Sequence, residues 1–392
     1  MQRVYYRSRK KIVRDIPMEV LEHILCRLPV KTLLQFRSVC KSWYAIITSP
    51  TLISIHANWF SNNQFGYLIK HRGPEISSLD KSMFNLIEKL ELPHHHLKSF
   101  EFNLVGSCNG LLCLTKEFVA NNKFPSTYIW NPSIRVCKEL PLPPLQIITF
   151  IDKNLISYEC ASGFGFDGQT NDYKVFHIVR AKSNLEDFVI INLVYSSKNQ
   201  SWRVVEAAHD DYDQFAFPSP YIGCRTSFNG AFHWIPNWDS KSRSIMRFDF
   251  CDETIRKTKL PLANKNEIVM CIGSLKNSLV VFVSDALDGK FWTIPCRINT
   301  WVMMKKGEMT TTPWIHQFSV PIEAGLAWPL NIGLNGENLF FLKFYMMKNS
   351  SWSYRLGIYD NEKKKISEVD THIRGMFTYS ESLFLLGEET KY

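Results

Sequence analysis

The chain has 392 residues, 45% hydrophobic and 14% aromatic, and carries a formal charge of +9. That apolar share supports a sizeable core and excludes a largely disordered chain, and no apolar run approaches the roughly 20 residues of a membrane-spanning helix. Ten cysteines without a C-x-x-C pair exclude a zinc-finger rhythm and read as reduced thiols of a cytoplasmic or nuclear protein.

Residues 1–15, MQRVYYRSRKKIVRD, form a basic leader with no apolar stretch of the secretory kind. Arg3, Arg7, Arg9, Lys10, Lys11 and Arg14 stand there against Asp15, so five of the nine net charges lie in this arm. The rest of the chain is close to balanced, which argues against a nucleic-acid surface spread over the fold. The leader reads as a solvated, flexible arm, with a nuclear-import signal as the alternative.

Residues 16–56 read as a small helical module. Pro17 suits a first helical turn, where its missing N–H costs nothing. Val20, Leu21, Ile24, Leu25 and Leu28 then recur at helical spacing and make one apolar face. Pro29 ends that helix by disfavouring the α conformation at Leu28. A second short helix carries Leu33, Leu34 and Phe36, and a third carries Val39, Trp43, Ile46 and Ile47 before Pro50 closes it. A module of this size cannot bury so much apolar surface on its own. Val30, Leu33, Leu34, Val39, Cys40 and Trp43 need a cover, supplied by a partner or by the rest of the chain.

This stretch resembles an F-box of the plant type. The carrying residues are Ile16-Pro17, Ile24-Leu25, Leu28-Pro29-Val30-Lys31, Leu33-Leu34 and Val39-Cys40-Lys41-Ser42-Trp43, with Ile16 where leucine is commoner. The resemblance implies docking on a Skp-type adaptor and, through it, on a cullin and a RING subunit. It further implies that Pro17, Leu28, Pro29, Val30, Leu33, Leu34, Val39, Cys40 and Trp43 form the adaptor-binding face or the small core that shapes it.

Residues 60–392 read as a large all-β domain, with short aromatic and β-branched runs broken by turn residues. One unit recurs, a strand, a polar turn and a second strand, as IWNPSIRVCKELP, VYSSKNQSWRVVE, MRFDFCDETIRKTKLP, a looser TWVMMKKGEMTTTPWIHQFSV, and LGIYDNEKKKISEV. Its anchors are Trp130, Tyr195, Phe248, Val302 and Tyr359, spaced close to the ~50 residues of kelch-type repeats. Upstream of most anchors lies a Gly/Asn/Ser turn with an apolar strand, as in SCNGLLCL and SFNGAFHWI. Four strands per unit predict a β-propeller-like domain of about six blades, with a twisted β-sandwich as the competing architecture. The last blade is expected to join the strand at 65–71 to a C-terminal strand over 382–386. Residues 106–114, 130–135, 163–175, 194–203 and 229–234 resemble the F-box-associated domain of plant F-box proteins. That resemblance implies a substrate-binding propeller.

Gly163, Gly165 and Gly168 stand in the order G-x-G-x-x-G. A dinucleotide fold needs a helix after the last glycine. Here a polar turn and an alternating strand follow, in the slot that SCNGLLCL fills in its own repeat. The glycines are therefore expected to serve tight turns and close strand packing. His94-His95-His96 and the cluster His209, Asp210, Asp211 and Asp213 read as solvated loops rather than metal sites. Cys108 and Cys113 read as core thiols, and His233 as a hydrogen-bonded core or blade-edge residue rather than a catalytic base. No hydrolase elbow, zincin helix or phosphate loop is present. The expected function is a non-catalytic substrate receptor of a Skp–cullin–F-box ubiquitin ligase, binding the adaptor and a protein target, with no cofactor, metal or membrane. The alternatives are an adaptor-bound scaffold outside the ligase and a kelch-like propeller enzyme.

Overall fold

A computed structural model gives the fold. It describes residues 16–391 apart from 64–65, 72, 80–85, 94–101, 117–123, 145–156, 183–187, 207–216, 219–222, 237–242, 263–266, 276–277, 286–295, 305–313, 323–326, 334–335, 347–351, 370–372 and 386–389. The basic leader, the triple histidine and the His209–Asp213 cluster lie outside the described residues.

The helical module holds α1 (Met18–Leu25), α2 (Val30–Phe36), α3 (Lys41–Ile47) and α4 (Pro50–Asn63). Pro17 and Pro29 stand at the N-caps of α1 and α2, where neither supplies a side-chain acceptor. The fourth helix departs from the three expected, because Pro50 opens a helix instead of only closing one. The Ser49 hydroxyl accepts the Leu52 N–H at 3.2 Å, and proline at the first helical position loses no hydrogen bond.

The β domain is a six-bladed propeller. Blade I contains β1 (Gly66–His71), β2 (Ile76–Leu79) and β3 (Leu86–Lys89); blade II contains β4 (Phe102–Cys108), β5 (Leu111–Lys116), β6 (Thr127–Asn131) and β7 (Val136–Glu139). Blade III follows as β8 (Ser157–Asp167), β9 (Asp172–Lys182), β10 (Phe188–Ser196) and β11 (Ser201–Val205). Blade IV is β12 (Arg225–Phe228), β13 (Ala231–Trp234), β14 (Ser244–Asp249) and β15 (Ile255–Lys259). Blade V is β16 (Ile268–Leu275), β17 (Ser278–Ser284), β18 (Cys296–Met303) and β19 (Trp314–Ile322). Blade VI is β20 (Ala327–Ile332), β21 (Asn338–Met346), β22 (Trp352–Asp360) and β23 (Lys365–Val369).

Two late strands close the structure. β24 (Ile373–Tyr379) becomes the innermost strand of blade I, with Gly66 opposite Tyr379 and Lys70 opposite Gly375. β25 (Thr390–Lys391) adds to the outer edge of blade II beside β7. The ring thus closes through the strand at 373–379, and not through 382–386 as the apolar pattern suggested. Leu383 and Phe384 are apolar for a different reason. Leu383 is buried against the helical module, and the Phe384 ring meets Tyr173 edge-on at 4.7 Å.

All the repeat anchors lie on third strands: Trp130 on β6, Tyr195 on β10, Phe248 on β14, Val302 on β18 and Tyr359 on β22. The turn after that strand is built alike in four blades. Asn131, Ser196, Asp249 and Asp360 each accept a backbone N–H within the turn, at 2.9–3.0 Å. Four residues on, Arg135, Gln200, Glu253 and Lys364 adopt left-handed φ of 52–56°. The strand N–Hs are satisfied by the ladder, and the short polar side chain takes over where the ladder ends.

Gly163 and Gly165 lie on the innermost strand of blade III. A Cβ at Gly163 would sit 2.4 Å from the Phe232 ring, and one at Gly165 would sit 2.3 Å from Phe250, so both glycines serve close packing onto blade IV. Blades III and IV also share a stack of Phe176 on Phe248 at 3.8 Å. Lys174 is buried between them, bonded to Asp167 at 2.8 Å, to Glu253 at 2.9 Å and to the Phe250 carbonyl at 2.7 Å. Outer strands tie neighbouring blades through tryptophan N–H groups, Trp202 to the Pro141 carbonyl at 2.6 Å and Trp314 to the Lys259 carbonyl at 2.8 Å.

Candidate functional site: a fixed docking module and a central channel

The helical module uses part of its apolar surface internally and part against the propeller. Leu25, Cys26, Val30, Leu33, Ile46, Ile47 and Leu52 form one buried cluster with Ile134, Val136 and Leu383 of the β domain. Burying several such side chains contributes on the order of 1.5–3 kcal/mol each. A hydrogen bond fixes the contact, from the Val30 backbone N–H to the Glu381 carboxylate at 3.1 Å. His56 is fully buried, with Nε2 3.1 Å from the Leu28 carbonyl and its ring stacked on Phe60. Burial pushes its pKa down, against the opposing pull of the Leu28 carbonyl.

The adaptor-face residues named from the sequence divide between surface and core. Val30 and Leu33 are 0% exposed and belong to the core that shapes the module. Pro17, Pro29, Val39 and Cys40 are exposed, and Leu28, Leu34 and Trp43 are half-buried. Trp43 is held by an edge-on contact with Phe36 at 5.0 Å. Sequence reasoning missed that α1 turns half of its apolar face outward. Ile16, Met18, Val20 and Ile24 are all exposed, as is Tyr44 on α3, and Val39 reaches 63%. The signal was the width of the α1 stripe, broader than one packing contact uses. The result is a set of apolar side chains left uncovered on the module, as at protein contact surfaces.

The propeller meets the module at the end where β24 runs out into residues 380–384. Its three longest connections, 90–101, 140–156 and 206–224, leave from the opposite end of the blades. Between the ends runs the central channel, walled by β4, β8, β12, β16, β20 and β24, each touching the next. It holds a cavity of about 590 Å³. Among the described residues its wall carries serine, threonine, asparagine and arginine side chains, and Cys160 is its one thiol. Burial pushes the Cys160 thiol up to about 12, against the opposing pull of the Ser162 hydroxyl and the Arg225 charge.

Burial also sets His177, His233, Cys108 and Cys113. His177 lies between the Ser162 hydroxyl at 2.8 Å and the Thr127 hydroxyl at 3.3 Å, and burial lowers its pKa to about 3. His233 is lowered to about 3 by burial and then by the Arg247 charge. Cys108, on β4, is pushed up to about 12 by burial, and Cys113, on β5, is pushed up likewise. Burial penalises the Asp167 carboxylate, but hydrogen bonds from Lys174, Thr170, Cys251 and the Gln169 N–H outweigh it and hold its pKa below the usual carboxylate range.

Four helices with exposed apolar side chains, docked on a closed six-bladed propeller, define a helical module joined to a β-propeller. Comparison with known families agrees. A model of the F-box domain matches residues 14–54, and a model of the F-box associated beta propeller domain matches residues 64–385. The chain belongs to the family of F-box proteins that carry an F-box associated beta propeller domain. It is 25% identical to an F-box/kelch-repeat protein of Arabidopsis thaliana, over 78% of this chain and 80% of that one. It is 27% identical to an F-box/LRR-repeat/kelch-repeat protein of the same plant, over 76% and 78%. It is also 27% identical to the Arabidopsis F-box protein CPR1, over 67% of this chain and 65% of that one.

Proposed function

We propose that this protein is the substrate receptor of a Skp–cullin–F-box ubiquitin ligase, acting in the cytoplasm or nucleus and performing no bond chemistry itself. The observation that carries the reading is the uncovered apolar face of the module, led by Ile16, Met18, Val20, Ile24 and Val39. The propeller already covers the module's other side, so this face is the one left for an adaptor. Pro17, Leu28, Pro29, Leu34, Cys40 and Trp43 border it in this reading, while Val30 and Leu33 support it from beneath. The protein target is held on the propeller, on the end turned away from the module. Holding a target beside a charged conjugating enzyme raises the effective concentration of its lysines, which is the whole of the receptor's contribution.

The test is co-purification of the full chain with a Skp-type adaptor. Val39→Glu is expected to abolish the complex while leaving the fold intact, since Val39 makes little use of burial. Unchanged binding by that variant, or no binding by the wild type, overturns the reading. Reconstitution with the cullin core then separates a ligase receptor from an adaptor-bound scaffold, because only the former directs ubiquitin onto a bound target.

A further inference from the structure

The outer strand of blade II, β7, runs directly into Leu140-Pro141-Leu142-Pro143-Pro144. Its first step is a blade-end feature. A Leu-Pro pair also follows β3, as Leu92-Pro93, and β15, as Leu260-Pro261, and all three leucines are buried. The further prolines are not. His94 follows Pro93, and Leu262-Ala263 follows Pro261, so closing a blade does not require Pro143 and Pro144. The stretch leaves the propeller far from the helices, since β7 carries Val136 at the module contact and reaches Leu140 at its other end.

Proline chemistry fixes the backbone here. The rings set φ at about −65° at residues 141, 143 and 144, and each following proline holds Leu140, Leu142 and Pro143 extended. That is the polyproline II conformation, a rod with about three residues per turn. Burial follows the same step. Leu140 and Pro143, one turn apart, are buried, while Glu139, Pro141, Leu142 and Pro144 are exposed, Leu142 to 59%. One ridge of a three-sided rod therefore rests on the propeller and the other two face solvent. The Pro141 carbonyl accepts the Trp202 indole N–H at 2.6 Å, which pins the rod to blade III. A rod that is already ordered loses little conformational entropy on binding. Exposed proline ridges of this kind are read by grooves lined with aromatic side chains.

We propose that Pro141, Leu142 and Pro144 form a docking site for a protein domain with an aromatic-lined groove. This does not depend on the ligase reading, because the two ridges are exposed whatever the helical module docks on.

The test titrates the full chain with purified SH3, WW and EVH1 domains, the three kinds of aromatic-lined groove, and reads binding by calorimetry. Saturable binding of at least one kind is expected, and that kind assigns the groove. Leu142→Asp and Pro144→Ala are each expected to weaken it about tenfold or more. Ile87→Asp, on β3 and 63% exposed, is expected to leave it unchanged, which separates the site from general apolar adhesion. Thermal melts check the fold of each variant. Should Pro144→Ala lower the melting temperature, Leu142→Asp decides, since that side chain makes little use of burial. Sedimentation of the chain alone tests whether a second copy covers the segment instead. No saturable binding of any of the three kinds, binding unchanged in Leu142→Asp, or self-association lost in Leu142→Asp overturns the proposal.

Discussion

The Glu381 carboxylate accepts the backbone N–H of Val30 at 3.1 Å, a bond between residues 351 positions apart. Val30 opens α2, and the residue before it, Pro29, has no side-chain acceptor to cap the helix. The propeller's C-terminal segment supplies the cap that the local sequence lacks. Replacing Glu381 by Ala is expected to cost about 1 kcal/mol, the usual worth of an N-cap. Hydrogen exchange should then quicken about fivefold in α2, with the propeller strands unchanged; equal protection in both proteins would count against the cap.

Surface and core positions of the module should respond oppositely. Leu33→Ala removes a fully buried side chain and is expected to destabilise the module by about 2–5 kcal/mol. Val39→Glu should leave stability within about 0.5 kcal/mol. Denaturant unfolding of the full chain, followed by circular dichroism, distinguishes the two.

Two glycines of the G-x-G-x-x-G stretch separate packing from local backbone need. Gly163→Ala places a Cβ 2.4 Å from the Phe232 ring and is expected to lower stability by about 1–3 kcal/mol. At Gly168 an added Cβ meets nothing within 4 Å, so Gly168→Ala should be neutral or slightly stabilising. Thermal melts of both variants check the contrast.

Lys174 balances two carboxylates between blades III and IV, at 2.8 Å from Asp167 and 2.9 Å from Glu253. Lys174→Met leaves both carboxylates without that cation and is expected to cost about 3–5 kcal/mol. A loss below about 1 kcal/mol in urea unfolding would show that water reaches this site.

Two of the buried histidines, His177 and His233, give a pH dependence with a defined sign. His177 and His233 have folded pKa values of about 3, against about 6.5 in the unfolded chain. Between those values the unfolded chain binds more protons, so stability is complete above about pH 6.5 and is lost as pH falls toward 3. The melting temperature should decline across that window, and His177→Gln should make the decline shallower. A flat profile between pH 6.5 and 4 contradicts this.

The blade repeat was legible because the third strands of four blades end in the same local chemistry. Trp130, Tyr195, Phe248 and Tyr359 are followed by a polar turn whose acceptor and left-handed residue are fixed by nearest neighbours. Local rules also read Gly163 and Gly165 correctly as packing residues. The closing strand was misplaced because Leu383 and Phe384 look like strand residues while their partners lie far away in sequence. For the same reason Val30 and Val39 could not be told apart. Both are apolar members of one motif, and only the distant Ile134, Val136 and Leu383 decide that Val30 turns inward.

Closure by β24 sets an order of events during synthesis. The helices are synthesised well before the platform they rest on, because Leu383 and Glu381 follow them in sequence. Until then blade I lacks its innermost strand and the module lacks its cap. A chain stopped early therefore presents helices with no fixed orientation to the ring. Only a chain extended through β24 and Leu383 has both halves locked in register.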